Sequence, residues 1–214
     1  MRILAVDTAL GACSVAILDD DTPLARDFAV MARGHAEALA PMVEAVMKKA
    51  AFEFASIQRL AVTTGPGTFT GQRVGLSFMR GLRIALNVPL VGVTTLSAMA
   101  AQAMAETGHK TGAAIHDARR DEVYLEVAGD STLAACLLSF DAAVRHLESI
   151  ASPFVLAGTA APRALERLRQ AALSGVRQPD ALWVGRLARN LPAPATPPKP
   201  LYLRPPDAKL PVRK

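Results

Sequence analysis

The most informative part of this sequence reads Thr63-Thr64-Gly65-Pro66-Gly67-Thr68-Phe69-Thr70-Gly71-Gln72-Arg73-Val74-Gly75. The apolar run Leu60–Thr64 leads into it and predicts a buried strand, which the Gly-Pro-Gly turn ends. We expect Thr70 to cap a helix that runs to about Leu86. Backbone N–H groups at such a junction lack helical partners, and glycines let an anion approach them closely. The pattern is therefore typical of a phosphate-binding loop, although Gly-Pro-Gly is also a common tight turn.

The elements around this loop predict an α/β lobe. Three strands joined by short turns come first, and two helices then alternate with two strands. Their predicted bounds are Ile3–Asp7, Ser14–Leu18, Leu24–Val30, a helix at 34–50, the strand and helix of the loop, and Leu90–Val93. The order of strands and helices matches half of a ribonuclease-H-like unit.

The rest of the chain predicts a smaller α/β lobe followed by a tail. A helix at 96–106 leads into strands at 112–116, 122–128 and 154–157 and helices at 141–150, 162–172 and 179–190. Residues 192–206 hold seven prolines, so an extended tail on the surface or a disordered one is expected. We divide the chain into a first lobe with partner-binding helices (1–106), a smaller second lobe (107–190) and a Pro-rich basic tail (191–214).

Composition limits the class of protein. The 214 residues are 51% hydrophobic, which is enough for one large domain or two small ones. Apolar runs stay far below the ~20 residues of a membrane span, and Asp7 comes too early for a signal peptide. We therefore expect a cytoplasmic protein that does not enter a membrane. Cys13 and Cys136 show no CxxC or Cys/His pattern, so neither a disulfide framework nor a zinc site is predicted.

Positive charge is concentrated near the C-terminus. Residues 159–214 contain 11 Lys and Arg against three acidic residues, a net charge of +8, which leaves −3 of the total +5 for the first 158 residues. Such a segment, with Trp183, Tyr202 and the terminal cations Lys209, Arg213 and Lys214, could contact tRNA phosphates and bases. A solvated helix face followed by a basic tail has the same composition, so both interpretations stay open.

Six motifs in this order resemble those of the TsaB family, also called YeaZ. The motifs are Ile3–Thr8 with Cys13–Leu18, Gly34–Pro41, the Gly-rich loop, Pro89–Leu96, Asp117–Tyr124 and Tyr202-Leu203-Arg204. The resemblance is dense up to about residue 125 and rests on one motif beyond it. It implies the ASKHA fold of actin, Hsp70 and sugar kinases, with two lobes of which the second is reduced.

The resemblance also implies a function. The family supplies the non-catalytic dimerisation subunit of the bacterial machinery that makes tRNA threonylcarbamoyladenosine. The implied partners are TsaD, the catalytic paralogue, and TsaE, an ATPase, with a homodimer when the chain is alone and tRNA reached through the complex. No cofactor is expected to bind tightly to the isolated chain, and ATP or ADP at the complex interface is left open.

A vestigial nucleotide site is predicted where the first strand meets the Gly-rich loop. Asp7 stands where the ASKHA fold places an acid that orients a metal-bound phosphate, although acids at strand ends also cap turns. The residues assigned to this site are Asp7, Thr8, Gly65, Gly67, Thr68, Thr70 and Gly71. We expect weak nucleotide binding at most, because Leu156–Thr159 has only one of the two glycines of the fold's adenosine loop.

The metal centre of TsaD is expected to be absent. In that paralogue a His-x-x-x-His pair holds a metal, and alignment through Pro89–Val93 places Thr95 and Met99 at those positions. A neutral hydroxyl and a thioether suit such a metal poorly. His35 and Glu37 are two residues apart on a helix, so their side chains diverge and cannot share a metal. We assign no catalytic and no metal-binding residue.

The partner surface is predicted on two helices with wide apolar arcs. The arc of the first spans roughly 160°, wider than the ~100° that packing on one sheet needs. The interface residues assigned are Leu39, Met42, Val43, Val46 and Met47 on the first helix and Val74, Phe78 and Leu82 on the second. Two such hairpins could pack as a four-helix bundle. The alternative is that both helices are buried within the chain.

Three other functions stay open at this point. An active ASKHA phosphotransferase would use ATP with Asp7, the Gly-rich loop and Asp117 as a base, but a second phosphate loop is missing around Asp117. A metalloprotease-like enzyme would need the absent histidine pair. An RNA-binding module would rest on the basic C-terminal third.

Overall fold

The chain folds into two five-stranded mixed sheets, one from each half of the sequence, in a computed structural model that describes residues 1–204. In the first half the strands are β1 (Arg2–Asp7), β2 (Ala12–Asp19), β3 (Thr22–Val30), β4 (Arg59–Gly65) and β5 (Leu90–Thr94), and the helices are α1 (His35–Ala50), α2 (Phe69–Leu86) and α3 (Thr95–Thr107). In the second half the strands are β6 (Thr111–Asp117), β7 (Glu122–Gly129), β8 (Leu133–Ser139), β9 (Phe154–Ala157) and β10 (Ala171–Leu173), and the helices are α4 (Phe140–Glu148), α5 (Ala161–Leu165) and α6 (Ala181–Asn190).

Both sheets have the same topology. The first runs β3-β2-β1-β4-β5, and the second runs β8-β7-β6-β9-β10. In each sheet the three consecutive strands are antiparallel and the last two are added in parallel. The predicted ribonuclease-H-like order is therefore confirmed in the first lobe and repeated in the second, whose α4 and α5 are short.

Helices cover both faces of the first sheet, which explains why its central strands are apolar throughout. Leu4 and Val6 of β1 lie in one core cluster with side chains of α1 and α2. Ile3 and Ala5, which point to the opposite face, lie in a second cluster with side chains of α6. Strands buried on both faces lose the alternation of apolar and polar residues that marks a half-exposed strand.

Helices α3 and α6 connect the two lobes. Leu96 and Ala103 of α3 pack with Ala114 and Val155 of the second sheet. In contrast, α6 packs on the first sheet, where Gly185 fits because a Cβ there would lie 2.5 Å from Leu18 Cδ1. The predicted domain boundaries at residues 106 and 190 stay predictions, with α6 contributing to the core of the first lobe.

The structure differs from the sequence prediction in three places. The cap of α2 is Thr68 rather than Thr70, because Thr68 Oγ1 accepts the Gly71 N–H at 3.0 Å. Strand β8 was not predicted, since Leu133–Ser139 is an almost unbroken apolar run without a strand-like alternation. The predicted helix at 162–172 ends at Leu165, and the chain instead forms β10 beside β9.

The segment after α6 is extended and lies on the surface of the first lobe. We call residues 191–204 the strap. Its Leu201 N–H donates to the Thr64 carbonyl at 2.8 Å, and Pro198 lies against Gly92 of β5. Of the two predicted alternatives for the tail, the surface-bound one is confirmed for this segment. Residues 205–214, with Lys209, Arg213 and Lys214, lie outside the described residues.

Candidate functional site

The predicted nucleotide site lies where β1 and β4 end side by side. These strands are parallel neighbours, so their carboxyl ends meet at one edge of the sheet. Asp7 and Thr8 follow from β1, and the Gly-rich loop follows from β4 into α2. The structure therefore brings together the residues that the sequence assigned to this site, with Thr70 exposed on the first turn of α2.

The two loops of this site are joined directly by hydrogen bonds. The Thr68 N–H donates to the Ala9 carbonyl at 2.8 Å. Thr8 bonds twice to α2, since its hydroxyl donates to the Gly71 carbonyl at 2.7 Å and accepts the Gly75 N–H at 2.9 Å. The N–H groups of Thr68 and Gly71, which lie at the start of α2 where a phosphate would bind, are occupied by the chain's own oxygens.

Glycines of the loop allow the two backbones to touch. A Cβ at Gly67 would lie 2.3 Å from the Ala9 carbonyl oxygen, and one at Gly71 would lie 2.2 Å from that of Thr8. At Gly65 the backbone has a φ of +106°, which favours glycine, and a Cβ would meet the Gln72 side chain. In this structure Gly67 and Gly71 therefore accommodate the β1–β2 turn, and Gly65 accommodates Gln72. A cavity of about 460 Å³ lies beside the loop, lined by Leu10, His35, Thr70 and Gly71 among others.

Asp7 is completely buried beneath this contact. Its Oδ1 accepts the Thr63 hydroxyl at 2.6 Å and the Ala9 N–H at 3.2 Å, whereas Oδ2 has no hydrogen-bond partner. Burial raises the pKa of the Asp7 carboxyl to about 7, and the bond from Thr63 opposes the rise. The acid that the fold would use to orient a metal-bound phosphate is thus closed off from solvent here.

Leu10, at the tip of the β1–β2 turn, packs between the lobes. Its side chain is buried with Leu96 and Met99 of α3 and with Val155 and Val176 of the second lobe. The backbone beside it is held as well, because the Leu10 carbonyl lies 3.0 Å from His35 Nε2. Sequence reasoning missed Leu10, since a single leucine in a turn has no periodic pattern around it.

The two positions that the resemblance aligns with a metal-binding pair lie inside the core. Thr95 and Met99 are fully buried on α3, and the Thr95 hydroxyl has no hydrogen-bond partner. Among residues 1–204, no three His, Cys, Asp or Glu side chains lie together as a metal-binding group. Asp117 ends β6 at a hairpin, where its Oδ1 accepts the Arg119 N–H at 2.9 Å.

The α1 part of the predicted partner surface needs correction. All five assigned side chains lie within the core of this chain, because α1 crosses β2 and β3 and fills the space above them: Leu39, Met42, Val43, Val46 and Met47. Helix α1 packs on α2 as well as on this sheet, so a wider arc of its surface is buried than one sheet face alone would cover. In the folded chain these side chains are not available to a partner.

Helix α2 carries exposed apolar surface, as does β3 with Phe28 and Val30. Val74, Phe78 and Leu82 are half-buried at the border of α2 with the core. Two further apolar side chains of α2 that were not assigned to the partner surface are exposed. Phe69 is 54% exposed and Ile84 is 78% exposed. A helix with such residues on its outer side and a core on its inner side is suited to pairing with another protein. The helix also carries three arginines and no acidic residue.

Arginines in the basic C-terminal third are largely engaged by the chain itself. Arg163 pairs with Asp121, Arg167 with Asp141 and Arg189 with Asp21. Arg177 donates to the carbonyls of Ser174 and Val176. Exposed ion pairs contribute little to stability, but they lower the positive potential that would attract a phosphate backbone. Direct tRNA contact by this region stays a prediction.

None of the helices in residues 1–204 combines the length and the apolar character needed to span a membrane.

Comparisons with known proteins agree with this architecture. A family model described as TsaD, tRNA N6-adenosine threonylcarbamoyltransferase, matches residues 29–151, more than half of the chain. The chain is 41% identical over 124 residues to the tRNA threonylcarbamoyladenosine biosynthesis protein TsaB of Escherichia coli K12. That alignment covers 58% of this chain and 53% of the relative, so it spans about half the length of the curated protein.

Solved structures support both the family and the fold. YeaZ from Pseudomonas aeruginosa is 31% identical, with a TM-score of 0.74 over 87% of this chain and 90% of that chain. Component A of (R)-2-hydroxyglutaryl-CoA dehydratase from Acidaminococcus fermentans is 12% identical, with a TM-score of 0.55 over 88% and 98%, and shares the two-lobe ASKHA fold alone. The chain belongs to the TsaB (YeaZ) family, whose curated relatives act in tRNA threonylcarbamoyladenosine biosynthesis.

Proposed function

We propose that this chain is a non-catalytic scaffold subunit of the complex that adds threonylcarbamoyl to the adenosine beside the tRNA anticodon. In this role it binds TsaD, which carries out the transfer, while the ATPase TsaE joins the assembly and tRNA is reached through the complex. The chain itself would hold no metal and no tightly bound nucleotide. ATP or ADP would then be bound at the complex interface or by the partners.

One observation carries the non-catalytic part of the proposal, namely the packing of the β1–β2 turn. Thr68 and Thr8 bond this turn to the Gly-rich loop, and Leu10 packs against side chains of both lobes. An ASKHA phosphotransferase would need space there for its nucleotide and a solvent-accessible acid near Asp7. The closed turn therefore supports a scaffold over the phosphotransferase alternative, and the buried Thr95 and Met99 argue against a metalloprotease-like enzyme.

Two observations support TsaD as the partner: the match of this chain to the TsaD family model, and the exposed apolar side chains of α2. Because a TsaD family model matches residues 29–151, which include α1 and α2, TsaD is expected to have a helix pair of the same shape. Like surfaces of related chains can pair about a pseudo-two-fold axis, as identical ones do in a homodimer. Alone, the chain could dimerise through α2, although three arginines would then face three arginines.

Reconstitution tests this function. Purified TsaD, TsaE, tRNA and threonylcarbamoyl-adenylate are combined with wild-type chain, with the Ile84→Glu variant, or with neither. We expect modification with the wild type only, because a glutamate on the exposed side of α2, near its C-terminal end, would be buried in the complex. Modification by this chain without TsaD, or equal modification without this chain, would refute the scaffold role. Metal and nucleotide content are measured on each purified protein.

A further inference from the structure

The strap is held along the first lobe by a series of specific contacts. At its start, one Arg59 nitrogen donates to the carbonyls of Ala188, Arg189 and Leu191 at 2.6, 3.0 and 2.8 Å. This arginine caps the C-terminal end of α6 and fixes the direction in which the strap leaves it. Further on, Arg80 of α2 donates to the Pro198 carbonyl at 2.5 Å.

The strap then packs on the first turns of α2 through an aromatic cluster, which we define as Phe69, Arg73 and Tyr202. The rings of Phe69 and Tyr202 stack with centroids 5.4 Å apart and planes at 26°. The Arg73 guanidinium lies 3.5 Å from the centroid of the Phe69 ring, and its Nε donates to the Tyr202 hydroxyl at 2.9 Å. Two residues later, Arg204 binds Glu122 of the second lobe. The strap therefore spans both lobes and touches α2 at several points.

The aromatic cluster faces solvent on the same side of α2 as Ile84. Phe69 is 54% exposed and Tyr202 is 45% exposed although they stack on each other. Ile84 follows Phe69 by 15 residues, which places it about 22 Å along the helix and within about 60° of the same direction. Phe69, Tyr202 and Ile84 therefore lie along one side of α2, with the strap beside the helix.

We propose that the strap forms part of the surface that binds the TsaD-type partner, with Tyr202 as an anchor residue beside Phe69. The proposal rests on the proposed function, because the partner is the paralogue named there. Aromatic side chains held rigidly at an interface commonly contribute most of its binding free energy. Here the stack and the bond from Arg73 hold Tyr202 in place before any partner arrives, which lowers the entropy lost on binding.

Charge favours a partner with carboxylates over a second copy of this chain. Helix α2 contributes Arg73, Arg80 and Arg83 and no acidic residue. Two copies of this surface would place like charges opposite each other, whereas a helix face bordered by Asp or Glu would complement it. An RNA strand would also complement the charge, and the experiment below separates that outcome.

Binding of TsaD to three variants tests the inference. Tyr202→Ala removes the anchor ring, Tyr202→Phe keeps the ring without its hydroxyl, and Ile84→Glu disrupts the α2 surface outside the strap. Kd is measured by titration calorimetry, and folding is checked by circular dichroism and thermal unfolding. We expect Tyr202→Ala to weaken TsaD binding about 10-fold or more and Tyr202→Phe to stay within about threefold of wild type.

Hydrogen exchange of the wild-type chain supplies a readout that needs no substitution. On addition of TsaD, backbone amides of residues 199–204 should gain protection together with those of α2. If Tyr202→Ala binds as wild type, or the strap gains no protection while α2 does, the inference is wrong and the proposed function stands. If wild type itself does not bind TsaD, the proposed function fails as well. If Tyr202→Ala instead weakens binding of tRNA to the isolated chain with TsaD binding unchanged, the surface is an RNA site.

Discussion

The Thr63 hydroxyl donates a 2.6 Å hydrogen bond to Oδ1 of Asp7 in a part of the first lobe that has no contact with solvent. This bond stabilises the charged carboxylate, while burial destabilises it more strongly, so the pKa of Asp7 rises to about 7. We therefore expect protonation of this buried carboxyl group, which belongs to the predicted nucleotide site, to be coupled to folding.

That coupling predicts how stability depends on pH. The pKa of Asp7 is raised in the folded state, from 3.8 to about 7, so its contribution to stability is fully present below pH 3.8 and is lost as pH rises to about 7. The shift corresponds to about 4 kcal/mol. Asp7→Asn should remove this loss. Urea unfolding of both proteins between pH 4 and 8 measures the difference, and identical pH profiles would contradict it.

Thr63→Val offers a second test of the same group. Without the hydroxyl, Asp7 keeps its burial but loses the hydrogen bond that lowers its pKa. We therefore expect the pKa of Asp7 in the folded state to rise further, so that the loss of stability still begins near pH 3.8 but continues to higher pH. The two variants should not be additive, since both act through one carboxyl group.

His116 should titrate in the opposite sense. It is buried on β6 and its Nδ1 has no hydrogen-bond partner, and burial lowers its pKa from 6.5 to about 4. Its contribution to stability is present above pH 6.5 and is lost as pH falls through about 4, with a total of about 3 kcal/mol. His116→Leu should weaken the acid dependence of unfolding. An unchanged acid profile would show that His116 takes up no proton on unfolding.

Much of the first lobe could be predicted from the sequence, because each strand and helix there has a clear period and clear ends. The cap of α2 was misplaced by two residues because Thr68 and Thr70 have the same chemistry and only the fold decides between them. The width of the apolar arc on α1 could not show whether its side chains face the core or a partner. How much of the helix the rest of the chain covers is decided by the tertiary structure. Contacts between distant segments, such as Tyr202 on Phe69, leave no periodic signal.

Alanine substitutions at two glycines of α2 should have opposite effects on stability, one through close packing and the other through helix propensity. A Cβ at Gly71 would lie 2.2 Å from the Thr8 carbonyl oxygen, whereas one at Gly81 would meet no atom within 4 Å. Gly71→Ala should therefore reduce the free energy of unfolding by about 1–3 kcal/mol. Gly81→Ala should increase it by about 0.5–1 kcal/mol, since alanine favours a helix interior. Thermal and urea unfolding measure both, and equal effects would contradict the contact at Thr8.

Leu10 is predicted to couple the two lobes. Truncation by Leu10→Ala would leave a cavity against Leu96 and Val176, and we expect it to reduce the free energy of unfolding by about 2–5 kcal/mol. The matched control is Leu191→Ala, because Leu191 is exposed and should change stability by less than about 0.5 kcal/mol. Hydrogen exchange should show faster exchange where the lobes meet. A Leu10→Ala protein as stable as the control would mean that the turn does not hold the lobes together.

Because Val43 lies in the core and Ile84 lies on the exposed side of α2, a glutamate at each position should affect stability and partner binding differently. Val43→Glu would place a charge inside the core beneath α1, where it has no partner, and should unfold the chain or lower its stability by several kcal/mol. Ile84→Glu adds the same charge to a side chain that is 78% exposed on a helix with three arginines, so the fold should persist. Only the second variant can then report on association. If Ile84→Glu stays folded and no longer binds TsaD, the exposed side of α2 is the partner surface. If it stays folded and still binds as wild type, the partner surface lies elsewhere.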